Sequence, residues 1–144
     1  MAEHLSEEQR RLQIINGTLE VIYREGIDRL TLDKVSAQAK CSKGVAAYYF
    51  KTKENMILEA YRAYLSYYQK KTAAELSRAK SPDEMLTILL DVAFPKRYDP
   101  HLTHEPINIS AEEGTGMDDH QEALLFMHFF AVALTNPTMQ EIMK

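Results

Sequence analysis

The chain has 144 residues, 45% of them hydrophobic, with one cysteine and a net charge of −4. That composition excludes a disordered chain, an internal disulfide and, with Cys41 alone, a cysteine-built metal site. No apolar run approaches the roughly 18 residues of a membrane span and the polar N-terminus carries no signal peptide, so a cytoplasmic protein without membrane partners is expected. The charge is uneven. Residues 1–55 hold nine Lys/Arg against eight Asp/Glu, and residues 56–144 hold eight against thirteen. A local basic face is therefore compatible with an acidic total.

Strand signals are almost absent and helical periodicity is nearly continuous, which predicts an all-α fold. Ser6 and Gln9 form a capping box, after which Leu12, Ile15, Leu19 and Ile22 share one face, and Gly26 stops the helix. Thr31 caps a second helix with Val35 and Ala39 inward. Lys40-Cys41 turns the chain, and Ser42 caps a short third helix through Tyr49. A long fourth helix starts at Thr52 and needs no break until about Lys80. Ser81-Pro82-Asp83-Glu84 is a strong restart, with a cap, proline at the first helical position and acids in the first turn. The fifth helix carries Met85, Ile88, Leu89, Val92 and Ala93 and ends at Pro95.

Residues 95–117 hold three prolines and two glycines and read as irregular, with room for one short helix. Asp118 and Gln121 cap a sixth helix. Its centre, LLFMHFFAVAL, is apolar nearly all round, which calls for burial within a bundle or between subunits. Asn136-Pro137 starts a last helix, and about two turns follow it.

The stretch at 31–53, TLDKVSAQAKCSKGVAAYYFKTK, is the most informative. Lys40, Lys43, Lys51 and Lys53 interleave with Tyr48, Tyr49 and Phe50, and no acidic residue occurs between Asp33 and Glu54. Two short helices with a tight connection and a basic, aromatic tip are what a helix-turn-helix needs to enter a DNA groove.

The region from about Leu12 to Leu58 resembles the TetR family of bacterial transcriptional regulators. The resemblance rests on Gly26-Ile27-Asp28-Arg29-Leu30-Thr31, on Val35 and Ala39, on Ser42-Lys43-Gly44, and on Tyr48 through Met56. It implies a three-helix DNA-binding head with a helix-turn-helix, a long fourth helix, an all-helical ligand-binding body, and homodimerisation through the last two helices. Residues 1–52 would be the DNA-binding domain. Residues 53–144 would be the ligand-binding and dimerisation domain, apparently incomplete because the chain is short for the family. Two local departures stand out. Lys40 replaces the usual glycine of the turn, where a left-handed residue costs roughly 1 kcal/mol, and Ala47 stands where tyrosine is common.

Within that frame the third helix is the reader. Ser42, Lys43, Gly44 and Val45 lie at its start. Lys43 suits a guanine edge or a phosphate, Gly44 a close backbone approach, and Val45 or Ala46 a thymine methyl. Tyr48 and Tyr49 suit phosphates through their hydroxyls, with their rings packed on the head. Thr31 and Lys53 suit phosphates at the starts of the second and fourth helices. The partners expected are double-stranded DNA with a palindromic operator, a small-molecule effector and a second copy of the chain.

Tyr61, Tyr64, Tyr67 and Tyr68 form a stripe on the fourth helix. Packing is the ordinary explanation of such a stripe. The sharper one is a pocket for a cationic or aromatic ligand, with Tyr61, Tyr64, Tyr68, Met85, Phe94, Phe126 and Phe130 as walls, joined by Met117 and Met127. His101, His104, His120 and His128 accompany Asp99, Glu105, Glu112, Glu113, Asp118 and Asp119. His101 and His104 are three apart, yet the spacing matches no strong ligand motif, so a solvated loop without metal is expected. No nucleophile elbow, phosphate loop or acid–base pair is visible, so neither an enzyme nor a cofactor is expected. The alternatives are a small metal-dependent hydrolase using the His/Asp/Glu loop and a helical interaction module that does not bind DNA. Cys41 reads as a packing residue.

Overall fold

The computed structural model describes residues 4–93, 104–111 and 116–144. Every regular element among them is helical: α1 (Glu7–Glu25), a 3₁₀ turn (Ile27–Arg29), α2 (Leu32–Gln38), α3 (Lys43–Tyr49), α4 (Lys53–Arg78), α5 (Pro82–Ala93), α6 (Asp119–Ala133) and α7 (Pro137–Met143). The caps are those expected. Ser6 and Asp118 form full capping boxes with Gln9 and Gln121, and the hydroxyls of Thr31, Ser42 and Thr52 accept from Lys34, Val45 and Asn55. Each such cap is worth about 1 kcal/mol.

α1 is the hub. It packs on α2, α4 and α6, so burial runs round more of it than one stripe. Ile14 and Val21 are buried beside Ile15, Leu19 and Ile22, each large side chain contributing roughly 1.5–3 kcal/mol. Leu12 is only half-buried. The α1–α2 approach is close because Gly17 faces α2: a Cβ there would lie 3.1 Å from Ala39 Cβ and 3.2 Å from the Val35 carbonyl. Gln13 Nε2 donates to the Ala39 carbonyl at 2.6 Å across the same contact. Arg11 ties α1 to α4 through an ion pair with Glu59.

The irregular residues are better organised than their composition suggests. Segment 107–109 lies along α1, where the buried Glu20 accepts from the Ile107 amide at 2.9 Å and Asn16 Oδ1 from the Ile109 amide at 2.9 Å. Glu20 also pairs with Arg24 at 2.8 Å, which compensates the buried charge. The Tyr67 hydroxyl accepts from the Gly116 and Met117 amides. Gly116 is required by space, since a Cβ there would collide with the Asn108 carbonyl. None of the described residues in 104–118 forms the short helix allowed for there.

Candidate nucleic-acid interface and the helical body

The connection from α2 to α3 is a Schellman ending. The Cys41 amide donates to the Ser36 carbonyl at 3.0 Å and the Lys40 amide to the Ala37 carbonyl at 3.2 Å. Lys40 takes φ 56°, and among the described residues it is the only non-glycine with positive φ. The turn therefore keeps its left-handed shape without glycine. Cys41 is partly buried and packs against the core, and burial pushes its thiol up against the opposing charge of Arg10.

α3 presents two unlike faces. Ala46 and Phe50, which follows it, are buried at 0% and 3% exposure, and Val45 packs beside them. Ser42, Lys43, Gly44 and Tyr48 face outward. A Cβ on Gly44 would meet nothing nearer than Ser42 Oγ at 4.0 Å, so no internal contact demands a glycine there. The small residue leaves the backbone accessible from outside. Lys43 pairs with Asp33 at 3.1 Å, with both side chains mostly exposed. Lys53 is exposed and its ammonium donates to the Asp28 carbonyl at 3.2 Å. Lys51 is exposed as well.

Two sequence assignments change here. Ala46 faces the core and has no surface for a thymine methyl, because it sits one position round the helix from the exposed side. The Tyr48 ring is 70% exposed rather than packed on the head. It lies nearly perpendicular to the ring of the half-buried Tyr49, with ring centroids 5.2 Å apart. The Thr31 and Ser42 hydroxyls already accept amides of their own helices, so any phosphate contact they make uses their remaining hydrogen-bonding capacity.

In the body the tyrosine stripe is mainly core. Tyr61 and Tyr64 are 3% and 2% exposed and both pack on Phe129, at 5.2 and 5.4 Å between ring centroids. The Tyr64 hydroxyl donates to the Glu122 carbonyl, and Tyr68 stacks on Tyr64 at 6.0 Å. Burial, then the charge of Glu122, pushes the Tyr64 phenol far above its ordinary range. Lys71 joins α4 to α6 through Glu122 at 2.7 Å. Burial lowers the Lys71 ammonium, but the hydrogen bond and charge of Glu122 outweigh it and leave it raised, whereas burial leaves the Glu122 carboxyl raised despite Lys71.

Met85, Phe126 and Phe130 are not buried with these tyrosines but 44–49% exposed, and Phe94 and His101 lie outside the described residues. α6 buries Leu125, Phe129 and Ala133 but exposes Phe126, Met127, Phe130 and Leu134, so its apolar circumference is covered on one side only among the described residues. A cleft of about 630 Å³ between α1, α4 and segment 109–111 is lined by Arg11, Ile15, Ala63, Tyr67 and Ile109 and by none of the proposed wall residues. Nor is the histidine region simply solvated. His104, Asp118 and His120 come together, a grouping the 101/104 spacing did not announce.

Residues 14–60 match the model of bacterial regulatory proteins of the tetR family. That match takes in the helix-turn-helix head and the start of α4. The regulator BetI of Agrobacterium fabrum is 30% identical over 85 residues, which are 59% of this chain and 41% of that protein. The chain thus spans about two-fifths of the length of the curated relative it matches. A Saccharomonospora viridis protein described as a transcriptional regulator, in complex with choline, superposes with a TM-score of 0.71 at 20% identity, covering 95% of this chain and 61% of that one. The multidrug binding protein EbrR in complex with malachite green does so with a TM-score of 0.61 at 23% identity, covering 93% and 66%. These solved structures share the helical fold across head and body. Among the described residues, no helix is long and apolar enough to cross a membrane.

Proposed function

We propose that this chain is a ligand-responsive transcriptional regulator, acting as a repressor, whose α3 reads a palindromic operator. The observation that carries this is the outer face of α3, where Lys43, Gly44 and Tyr48 stand exposed at the end of a rigid turn. The head (residues 1–52) presents Lys43 to a base edge or phosphate, Val45 to a thymine methyl, and Tyr48, Tyr49, Thr31 and Lys53 to phosphates, with Ser42 at the start of the reader. Such a head needs a second copy to span a palindrome. The uncovered Met127 and Leu134 of α6 suit a homodimer contact.

The effector proposed is a small cation with an apolar surround. Choline and malachite green are both cationic, and the rings of Tyr68, Phe126 and Phe130 supply the faces that attract such charge. Tyr61 and Tyr64 would support that wall from the core, with Met85 and Phe94 at its margin in the body (residues 53–144). The ligand acts through its differential affinity for two arrangements of α4, one of which sets the heads for adjacent major grooves.

Selection from a random duplex pool at near-physiological salt, with the mass of the complex read by light scattering, tests the reading. A palindrome bound by two chains, or two pairs, is expected. Failure to enrich any sequence, with a monomer in solution, would overturn it.

A further inference from the structure

We infer that His104, Asp118 and His120 form a binding site for a divalent transition-metal ion of the zinc class. One ligand atom from each residue lies within 4.8 Å of the others. Tetrahedral zinc with bonds of about 2.0–2.1 Å needs donors roughly 3.3 Å apart, so small side-chain rotations complete the cluster. Two imidazoles and one carboxylate are a donor set that favours zinc, cobalt or nickel over magnesium or calcium. Three protein ligands leave one tetrahedral position for water or an added ligand.

The surroundings are those of an oriented site. Nδ1 of His104 meets Asp118 Oδ2, and a cation between them would replace that contact. The other carboxylate oxygen of Asp118 is held by the Gln121 amide at 2.8 Å. The Tyr23 hydroxyl lies 3.0 Å from Nδ1 of His120, an outer contact of the kind that orients a ligating imidazole through its other nitrogen. The two imidazoles stack at 5.0 Å between centroids, and Tyr23 meets both edge-on. All three donors are partly buried. The chemistry joins three separate pieces of chain: segment 104–111, the start of α6, and α1.

The test is titration of the metal-stripped full chain with zinc chloride against a chromophoric chelator, with cobalt(II) absorption reporting geometry. One zinc per chain with Kd at or below about 1 μM is expected, along with a tetrahedral cobalt spectrum and indifference to magnesium. Asp118→Asn keeps a good helix cap and should keep the circular dichroism spectrum, yet weaken zinc at least tenfold. His120→Gln should weaken it more, and Tyr23→Phe about tenfold. Uptake that is absent in the parent chain, or equal in the parent and a folded Asp118→Asn variant, overturns the site.

Discussion

The head and the body have similar proportions of apolar residues and dispose of them differently. In the head nearly every large apolar residue is covered: Ile15, Leu19, Ile22, Leu30, Val35 and Phe50 are at most 3% exposed, and polar residues make the outer face. In the body α5 leaves Met85, Leu86, Leu89 and Leu90 between 44% and 56% exposed, and α6 leaves Phe126, Met127, Phe130 and Leu134 open. The head is a finished unit whose surface is free to meet a charged polymer. The body closes its inner half on α1 and α4 and keeps an apolar outer half, which in water is favourable only if something covers it.

The sharpest way to break that contrast is to truncate neighbouring rings on α6. Phe129 is 1% exposed and sits on Tyr61 and Tyr64. Phe129→Ala should cost about 3–5 kcal/mol in urea unfolding. Phe130→Ala should cost under about 1 kcal/mol at low protein concentration, where association does not contribute. Equal losses would mean that the two faces are buried alike in solution.

Two glycines compare the regions at their joints. At Gly116 the colliding atom is the Asn108 backbone carbonyl, held in place by the Asn108 amide bond to the Gly116 carbonyl at 2.9 Å. Gly116→Ala should therefore cost about 1–3 kcal/mol and loosen segment 107–109 from α1. At Gly17 the neighbours stand at 3.1–3.2 Å, so Gly17→Ala should cost less, near the lower end of that range. Thermal melts of both variants check the order, and a reversal would place the tighter joint inside the head.

The contrast also explains what the sequence disclosed. The head was legible because its signals are local: Ser6, Thr31, Ser42 and Thr52 cap where their neighbours require, and Lys40 turns the chain where a glycine was missing. The body's helix starts at Thr52, Pro82, Asp118 and Asn136 were equally legible, but its decisive contacts were not, because they span long separations. Glu20 meets Ile107 and Tyr67 meets Gly116, and no spacing rule pairs such residues. LLFMHFFAVAL looked buried all round since periodicity reports composition around a helix, not what lies beyond it. His104, Asp118 and His120 were named among the loop's candidate ligands, yet for the same reason they were not picked out as a set. Asp118 read as a cap, which it is, and nothing in a 14-residue separation points it at an imidazole.

Alkaline pH separates the regions by another route. Tyr61, Tyr64, Tyr67 and Tyr68 are all raised, with burial the largest cause, and Lys71 is raised too. Groups raised on folding hold protons that the unfolded chain releases, so stability falls as pH rises. The stabilising contribution should be complete below about pH 10, the ordinary tyrosine range, and be lost progressively above it. Tyrosinate absorbance should lag in the folded protein and appear together with loss of helix. Tyrosinate forming at ordinary pH while the helix persists would show that the stripe is solvated.

The smallest effects on the fold belong to the head's exposed face. Lys43→Ala should weaken specific DNA binding by about 1–3 kcal/mol if the ammonium reads a base. A phosphate contact would instead give a uniform loss across sequences and a shallower salt slope. Its partner Asp33 sharpens the assignment. The Lys43–Asp33 pair is mostly exposed and worth about 0–1 kcal/mol to the fold, so Asp33→Ala should leave the melting temperature nearly unchanged. The same change frees Lys43 and removes a negative charge facing the phosphates. DNA affinity should therefore rise a few-fold at low salt, and the gain should vanish in Lys43→Ala/Asp33→Ala if it comes from the released lysine. A gain that persists in the double variant would assign it to the lost carboxylate alone and leave Lys43 outside the contact.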